Sequence, residues 1–161
     1  MKKAGILLGL IALFAVIGFY VYQRTQLPDV NIDQIELQTF SGIPLNFAGR
    51  NDKPLILHFY STASKTSTVE FSAFKNPYAK FGFKITMIMV SDEEIEKATA
   101  FKVNAMLPFY FLHSVKPVGD YGIHTLPATY FFNGKGKLIS KKSGLMTEAE
   151  IEAEISKITA S

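Results

Sequence analysis

A chain of 161 residues, 48% hydrophobic and 13% aromatic, is long enough for one compact domain with its own core and too short for two, and this composition excludes a disordered protein. The net charge of +3 does not point to nucleic acid: Lys2, Lys3 and Arg24 are three of the 17 basic residues, which leaves 14 basic against 14 acidic from Thr25 onward and no basic stripe interleaved with aromatics. Cysteine is absent, which excludes disulfides, zinc–cysteine sites, thiolate nucleophiles and haem attachment.

Residues 4–22 form an uncharged stretch of 19 residues. At roughly 1.5 Å of rise per residue, this is about the length needed to cross a bilayer as a helix. A cleaved signal peptide would have a shorter apolar region, about 7–15 residues, ending in a small-x-small site. Here the stretch ends in Phe19, Tyr20, Val21 and Tyr22, and aromatics at that edge are interfacial anchors. An uncleaved, single-pass transmembrane helix over residues 1–24 is therefore expected. Lys2 and Lys3 on one side against Arg24 on the other favour a cytoplasmic N-terminus in the cell inner membrane, with the C-terminal domain facing the periplasm or the cell exterior. Residues 25–33, with Pro28 and little apolar pattern, read as a tether, and 34–161 as the folded domain.

Alternation of apolar and polar residues about Ser41-Gly42 predicts a hairpin over residues 35–47. The apolar run 54–60 predicts a strand covered on both faces. A small, polar stretch, 61–67, precedes a helical pattern from Thr68, carried by Val69, Phe71, Ala73 and Phe74 until Pro77 breaks it. Residues 84–90 predict a second buried strand, and Ser91-Asp-Glu-Glu94 opens a helix bearing Ile95, Ala98 and Phe101. A short strand over 108–112 follows. A second hairpin is expected at 129–132 and 137–140 about Asn133-Gly-Lys-Gly136, and Thr147-Glu-Ala-Glu150 is a capping box for a terminal helix with Ile151, Ile155 and Ile158. This order combines a parallel βαβ core with an antiparallel hairpin, the pattern of an α/β sandwich.

The segment Leu55-Ile-Leu-His-Phe-Tyr-Ser-Thr-Ala-Ser-Lys-Thr-Ser-Thr-Val-Glu-Phe71 resembles the strand, W-C-x-x-C turn and helix of thioredoxin-like proteins. Some 60 residues on, Tyr121-Gly-Ile-His-Thr-Leu-Pro-Ala-Thr-Tyr-Phe-Phe-Asn-Gly-Lys-Gly136 is similar to that family's Y-G-V segment, which leads into a cis-proline, a strand and a turn. With the N-terminal anchor, the whole chain resembles the membrane-tethered TlpA and ResA type. The resemblance implies a thioredoxin-like three-layer sandwich, a central mixed sheet with helices on both faces. It also places Ser64 and Ser67 at the two cysteine positions, Lys65 and Thr66 between them, Ala63 at the usual tryptophan and Pro127 at the cis-proline. Phe59-Tyr60 and Ser67-Thr-Val-Glu70 through Phe74 also resemble the F-Y…C-x-x-E…A-F stretch of peroxiredoxins, in which Ser67 again stands at a missing cysteine.

Thiol-disulfide exchange requires a thiolate that attacks a disulfide sulfur, and a serine hydroxyl is far too weak an acid to replace it. The expectation is therefore a redox-inactive domain with no catalytic residue, in which Ser64 and Ser67 are degenerate redox positions. Its binding surface for an exported protein or peptide would be formed by Ala63, Ser64, Lys65, Thr66, Ser67, His124, Leu126 and Pro127. In the resembling family, the backbone beside the cis-proline pairs with an extended peptide, which needs no cysteine. The alternative is a thiol-disulfide oxidoreductase, or a peroxiredoxin-like antioxidant protein, whose cysteines have been replaced by serine. A replacement by design would leave the tryptophan untouched, so Ala63 favours natural divergence.

The remaining polar residues have ordinary readings. Ser67-Thr-Val-Glu70 is itself an S-x-x-E capping box, and Ser64 would cap a helix that starts slightly earlier. His58 is a packed core histidine and His113 a solvated residue at a strand end. The three histidines lack ligand spacing, so no metal and no cofactor are expected. No G-x-S-x-G elbow accompanies the serines, which argues against a hydrolase.

Overall fold

The computed structural model describes residues 13–16, 18, 26–45 and 53–161. Among them no helix is long and apolar enough to cross a membrane; nearly all of the expected anchor lies outside the described residues. Among the described residues, seven strands form one mixed sheet: β1 (Leu37–Gln38), β2 (Pro44–Leu45), β3 (Leu55–Phe59), β4 (Thr86–Ser91), β5 (Tyr110–Ser114), β6 (Ala128–Phe132) and β7 (Leu138–Ser143). The helices α1 (Lys65–Phe81), α2 (Ile95–Ala105) and α3 (Glu148–Ala160) accompany it. The sheet order is β2-β1-β5-β4-β3-β6-β7. β3, β4 and β5 run parallel, whereas β6 is antiparallel to β3 and to β7.

β3 and β6 are buried along their full length, as their mainly apolar runs require for central strands. Alternate residues of β3 go to opposite faces. Ile56 and Tyr60 pack with Phe71 and Phe74 of α1, Phe101 of α2 and Ile151 and Ile155 of α3. Leu57 and Phe59 join Val90, Leu112 and Tyr130 on the other face.

The three helices thus share one face, contrary to the expectation of helices on both. The two βαβ crossovers step in the same direction along the sheet, from β3 to β4 to β5, and right-handed connections then put α1 and α2 on the same side. The second face is closed by Leu27, Val30, Ile32 and Ile35, by Val118 and Ile123, and by short 3-10 turns at Ile32–Gln34 and Val118–Tyr121. Residues 26–33 do not stand off the domain as a tether would: Leu27, Val30 and Ile32 are core residues, and Asp29 pairs with Lys141 at 2.7 Å.

Helix α1 runs through Pro77 instead of ending there. Pro77 is buried, and it continues the stripe of Phe71 and Phe74 toward Tyr78 and Phe81. Packing of that stripe offsets the backbone hydrogen bond that proline cannot make. The first hairpin is shorter than expected within the described residues. The terminal capping box is complete: the Thr147 amide donates to Glu150 at 2.8 Å, and the Glu150 amide donates to the Thr147 hydroxyl at 3.3 Å.

Phe74 is fully buried, with its ring 4.9 Å from the His58 imidazole and 6.4 Å from the Phe109 ring. Truncation to alanine removes these contacts and leaves a cavity, so Phe74→Ala should lower unfolding free energy by about 3–5 kcal/mol in denaturant titration.

Candidate functional site

The register of β3 against β6 pairs Phe59 with Ala128. The residues that follow β3 and those that precede β6 therefore emerge side by side at one end of the sheet. The register sets the start of the 61–67 segment at the same end of the sheet as the Leu126–Pro127 loop. The peptide bond between Leu126 and Pro127 is cis.

On the β3 side, the Ser64 amide donates to the Ser61 carbonyl at 3.2 Å and the Ala63 amide to the Ser61 hydroxyl at 3.2 Å, which closes a tight turn. Helix α1 begins at Lys65, so Ser64 immediately precedes it and Ser67 lies within it. Ala63 and Thr66 are exposed and Ser64 is half-buried. The S-x-x-E box at Ser67 does not mark the start of helix α1, which begins at Lys65. Ser67 already lies inside the helix, and the Glu70 carboxylate is turned into the core, where Oε1 accepts the Met146 amide at 3.0 Å.

On the β6 side, Leu126 is half-buried against the core of the second face and Pro127 is buried. The Pro127 carbonyl accepts the Gly144 amide at 2.9 Å, and Gly144 adopts φ +81, a conformation that glycine takes without strain. Among the described residues, no backbone hydrogen bond engages Leu126. His124 is exposed and lies over the Val118–Tyr121 turn beside Gly119. His113, expected to be solvated, is half-buried in β5 with Nδ1 3.4 Å from Gln38 Nε2. His58 is fully buried, as expected of a core histidine.

Two acidic residues organise both halves of the site, and neither was singled out from the sequence. Glu93, in the loop after β4, takes hydrogen bonds from the Ser61 hydroxyl at 2.7 Å, the Thr62 hydroxyl at 2.6 Å and the Thr62 amide at 3.1 Å. Its neighbour Asp92 accepts the Val118 amide at 2.8 Å and so holds the turn that leads to the Pro127 loop. Residues 91–94 read as a helix start, yet they also follow the C-terminal end of a buried parallel strand, where α/β sites form. That position was the available signal. For Glu70 the signal was its place on the apolar stripe of Phe71 and Phe74.

Burial pushes the Glu93 carboxyl up, but the hydrogen bonds from Thr62 and Ser61 and the charge of Lys97 outweigh it and hold the group below its ordinary value of 4.5. A depressed folded value contributes stability that is present above 4.5 and lost as pH falls through it. Glu93→Gln should therefore cost about 1–3 kcal/mol at pH 7, and the gap from the parent protein should narrow on acidification below 4.5, as followed by denaturant unfolding at a series of pH values.

Residues 24–141 match the family described as AhpC/TSA. The chain belongs to the AhpC/TSA family, whose thioredoxin-like fold it adopts. It is 28% identical over 163 residues to a thioredoxin-like protein of Bacillus subtilis, YneN, covering 94% of this chain and 95% of that one. Among solved structures, StoA from Bacillus subtilis superposes with a TM-score of 0.62 at 20% identity, over 79% of this chain and 98% of that one. A thioredoxin-family thiol:disulfide interchange protein from Chlorobium tepidum gives 0.67 at 12%, over 82% and 99%. These similarities show the thioredoxin-like fold, in a chain that has no cysteine.

Proposed function

We propose that this protein is a redox-inactive, membrane-tethered member of its family that binds an extended segment of an exported protein or peptide beside the Pro127 loop. The observation that carries this reading is the backbone of Leu126, which has no backbone partner among the described residues and lies next to the exposed Ala63 turn. An extended chain can add to such a backbone as a further strand, with affinity supplied by main-chain hydrogen bonds and selectivity by neighbouring side chains. Ala63, Ser64, Lys65, Thr66 and Ser67 would flank the segment on one side, and His124, Leu126 and Pro127 on the other.

The absence of thiols supports binding without exchange, because serine can neither attack a disulfide nor hold a mixed disulfide. Glu93 and Asp92 support it further, since they hold both halves of the groove in place before any partner arrives, which lowers the ordering cost of binding. The apolar run 4–22 supports an inner-membrane anchor that leaves the domain outside the cytoplasm.

In full-length protein bearing a photoreactive residue, position 126 should capture an envelope protein in living cells. Phe83, exposed between α1 and β4 at the opposite end of the sheet, should not. Equal capture at both positions, or capture at 83 alone, contradicts the site assignment. The same protein should reduce insulin disulfides at the uncatalysed rate.

A further inference from the structure

Between α1 and the sheet, two fully buried polar atoms point at each other. His58 Nε2 and Glu70 Oε2 are 3.8 Å apart, and neither has another hydrogen-bond partner. The opposite atom of each side chain is engaged: His58 Nδ1 lies 3.0 Å from the Thr129 hydroxyl, and Glu70 Oε1 accepts the Met146 amide. The rings of Phe71 and Phe74 flank the imidazole at 5.6 and 4.9 Å, so its surroundings are apolar.

We propose that Glu70 and His58 hold one proton between them in the core, and that its loss is answered by a tautomer change in His58 that reaches Thr129. With the proton present, Glu70 is a carboxylic acid that donates to His58 Nε2, and His58 Nδ1–H donates to the Thr129 oxygen. With the proton gone, the carboxylate accepts from Nε2–H, and the Thr129 hydroxyl donates to Nδ1. One proton passes to solvent, the imidazole keeps one N–H throughout, and the pair never becomes a buried ion pair, which would be costly here. Either form needs the 3.8 Å gap to close to about 2.9 Å, a small side-chain adjustment. Thr129 follows Pro127 by two residues on β6, so the change is delivered beside the candidate groove, and it holds whether or not that groove binds a peptide.

The other groups on this side of the sheet leave the pair to itself. β4 presents Met87 and Met89, and α3 presents Ile151 and Ile155. Tyr60 is kept protonated by burial and by the charge of Glu93. Glu154 is engaged by Lys157 and Ser140, while Lys80–Glu152 and Asn76–Glu148 are exposed links between α1 and α3. Tyr78 packs its ring on Phe109. Lys102 lies over Phe111.

Burial pushes Glu70 up from 4.5 to about 7, against a smaller opposing effect of the Met146 amide, and pushes His58 down from 6.5 to about 3. The raised Glu70 value means that stability is lost as pH rises from 4.5 to about 7, and the lowered His58 value means that it is lost as pH falls from 6.5 to about 3. Between 4.5 and 6.5 the unfolded chain carries a proton on histidine and the folded chain carries one on glutamate, so the two effects cancel.

The test is denaturant unfolding of full-length protein in detergent from pH 4.5 to 6.5, with Glu70→Gln and His58→Asn measured against the parent. Relative to the parent, the unfolding constant should fall up to tenfold per pH unit in Glu70→Gln and rise up to tenfold per pH unit in His58→Asn. If the two variants track the parent, or tilt in the same direction, the shared proton is refuted. Should either variant fail to fold, nitrogen NMR of the parent decides. A neutral His58 protonated on Nδ1 at pH 5.5 and on Nε2 at pH 8.5 is the expected result, whereas an imidazolium at pH 5.5 or an unchanged tautomer overturns the proposal.

Discussion

The antiparallel pairing of Phe59 with Ala128 is the constraint on which the site depends. It brings the end of one buried strand beside the start of another, and the rest of the candidate site is built on that adjacency. β3 also pairs in parallel with β4, which places the loop after β4 within reach of both halves. Glu93 then secures the turn after β3, and Asp92 the turn that leads to Pro127. Three neighbouring strand ends thus meet at the candidate site.

The core beneath it is unusual for what it buries. Aromatic rings from α1, α2 and β5 surround Tyr60 and His58, and Glu70 enters the same layer. A lone charge there would cost several kcal/mol, which is why burial and protonation of Glu70 must be considered together. Its other oxygen fastens the 144–146 segment, which also reaches the Pro127 carbonyl through Gly144. A polar connection therefore runs from helix α1 through the 144–146 segment to the Pro127 loop.

Much of the fold was legible in the sequence because its signals are local. The apolar runs of β3, β4 and β6, the turn at 133–136 and the capping box at Thr147 each specify their element within a few residues. The extent of α1 was not legible, because Pro77 signals a break and only the packing of its neighbours overrides it. The covering of the second face was also hidden: Leu27, Val30 and Ile32 are too sparse for a periodic pattern, and their burial depends on a surface formed by distant strands. Of the candidate site, the Ser64 turn and the Pro127 loop could be named from motifs. Glu93 and Asp92 could not, and Glu70 was legible only as a cap, since each acts through a partner some 26 to 76 residues away.

Under the proposed function a chain without cysteine acts through its shape, here a Leu126 backbone with no backbone partner among the described residues. The most direct measurement follows the Leu126 amide by NMR in full-length isotope-labelled protein in detergent, as an extended, cysteine-free peptide is added. A saturable shift and slowed hydrogen exchange at Leu126, with Phe83 unchanged, are the expected result. Saturable binding that leaves Leu126 unmoved, or a response only with peptides that contain a disulfide, would contradict it.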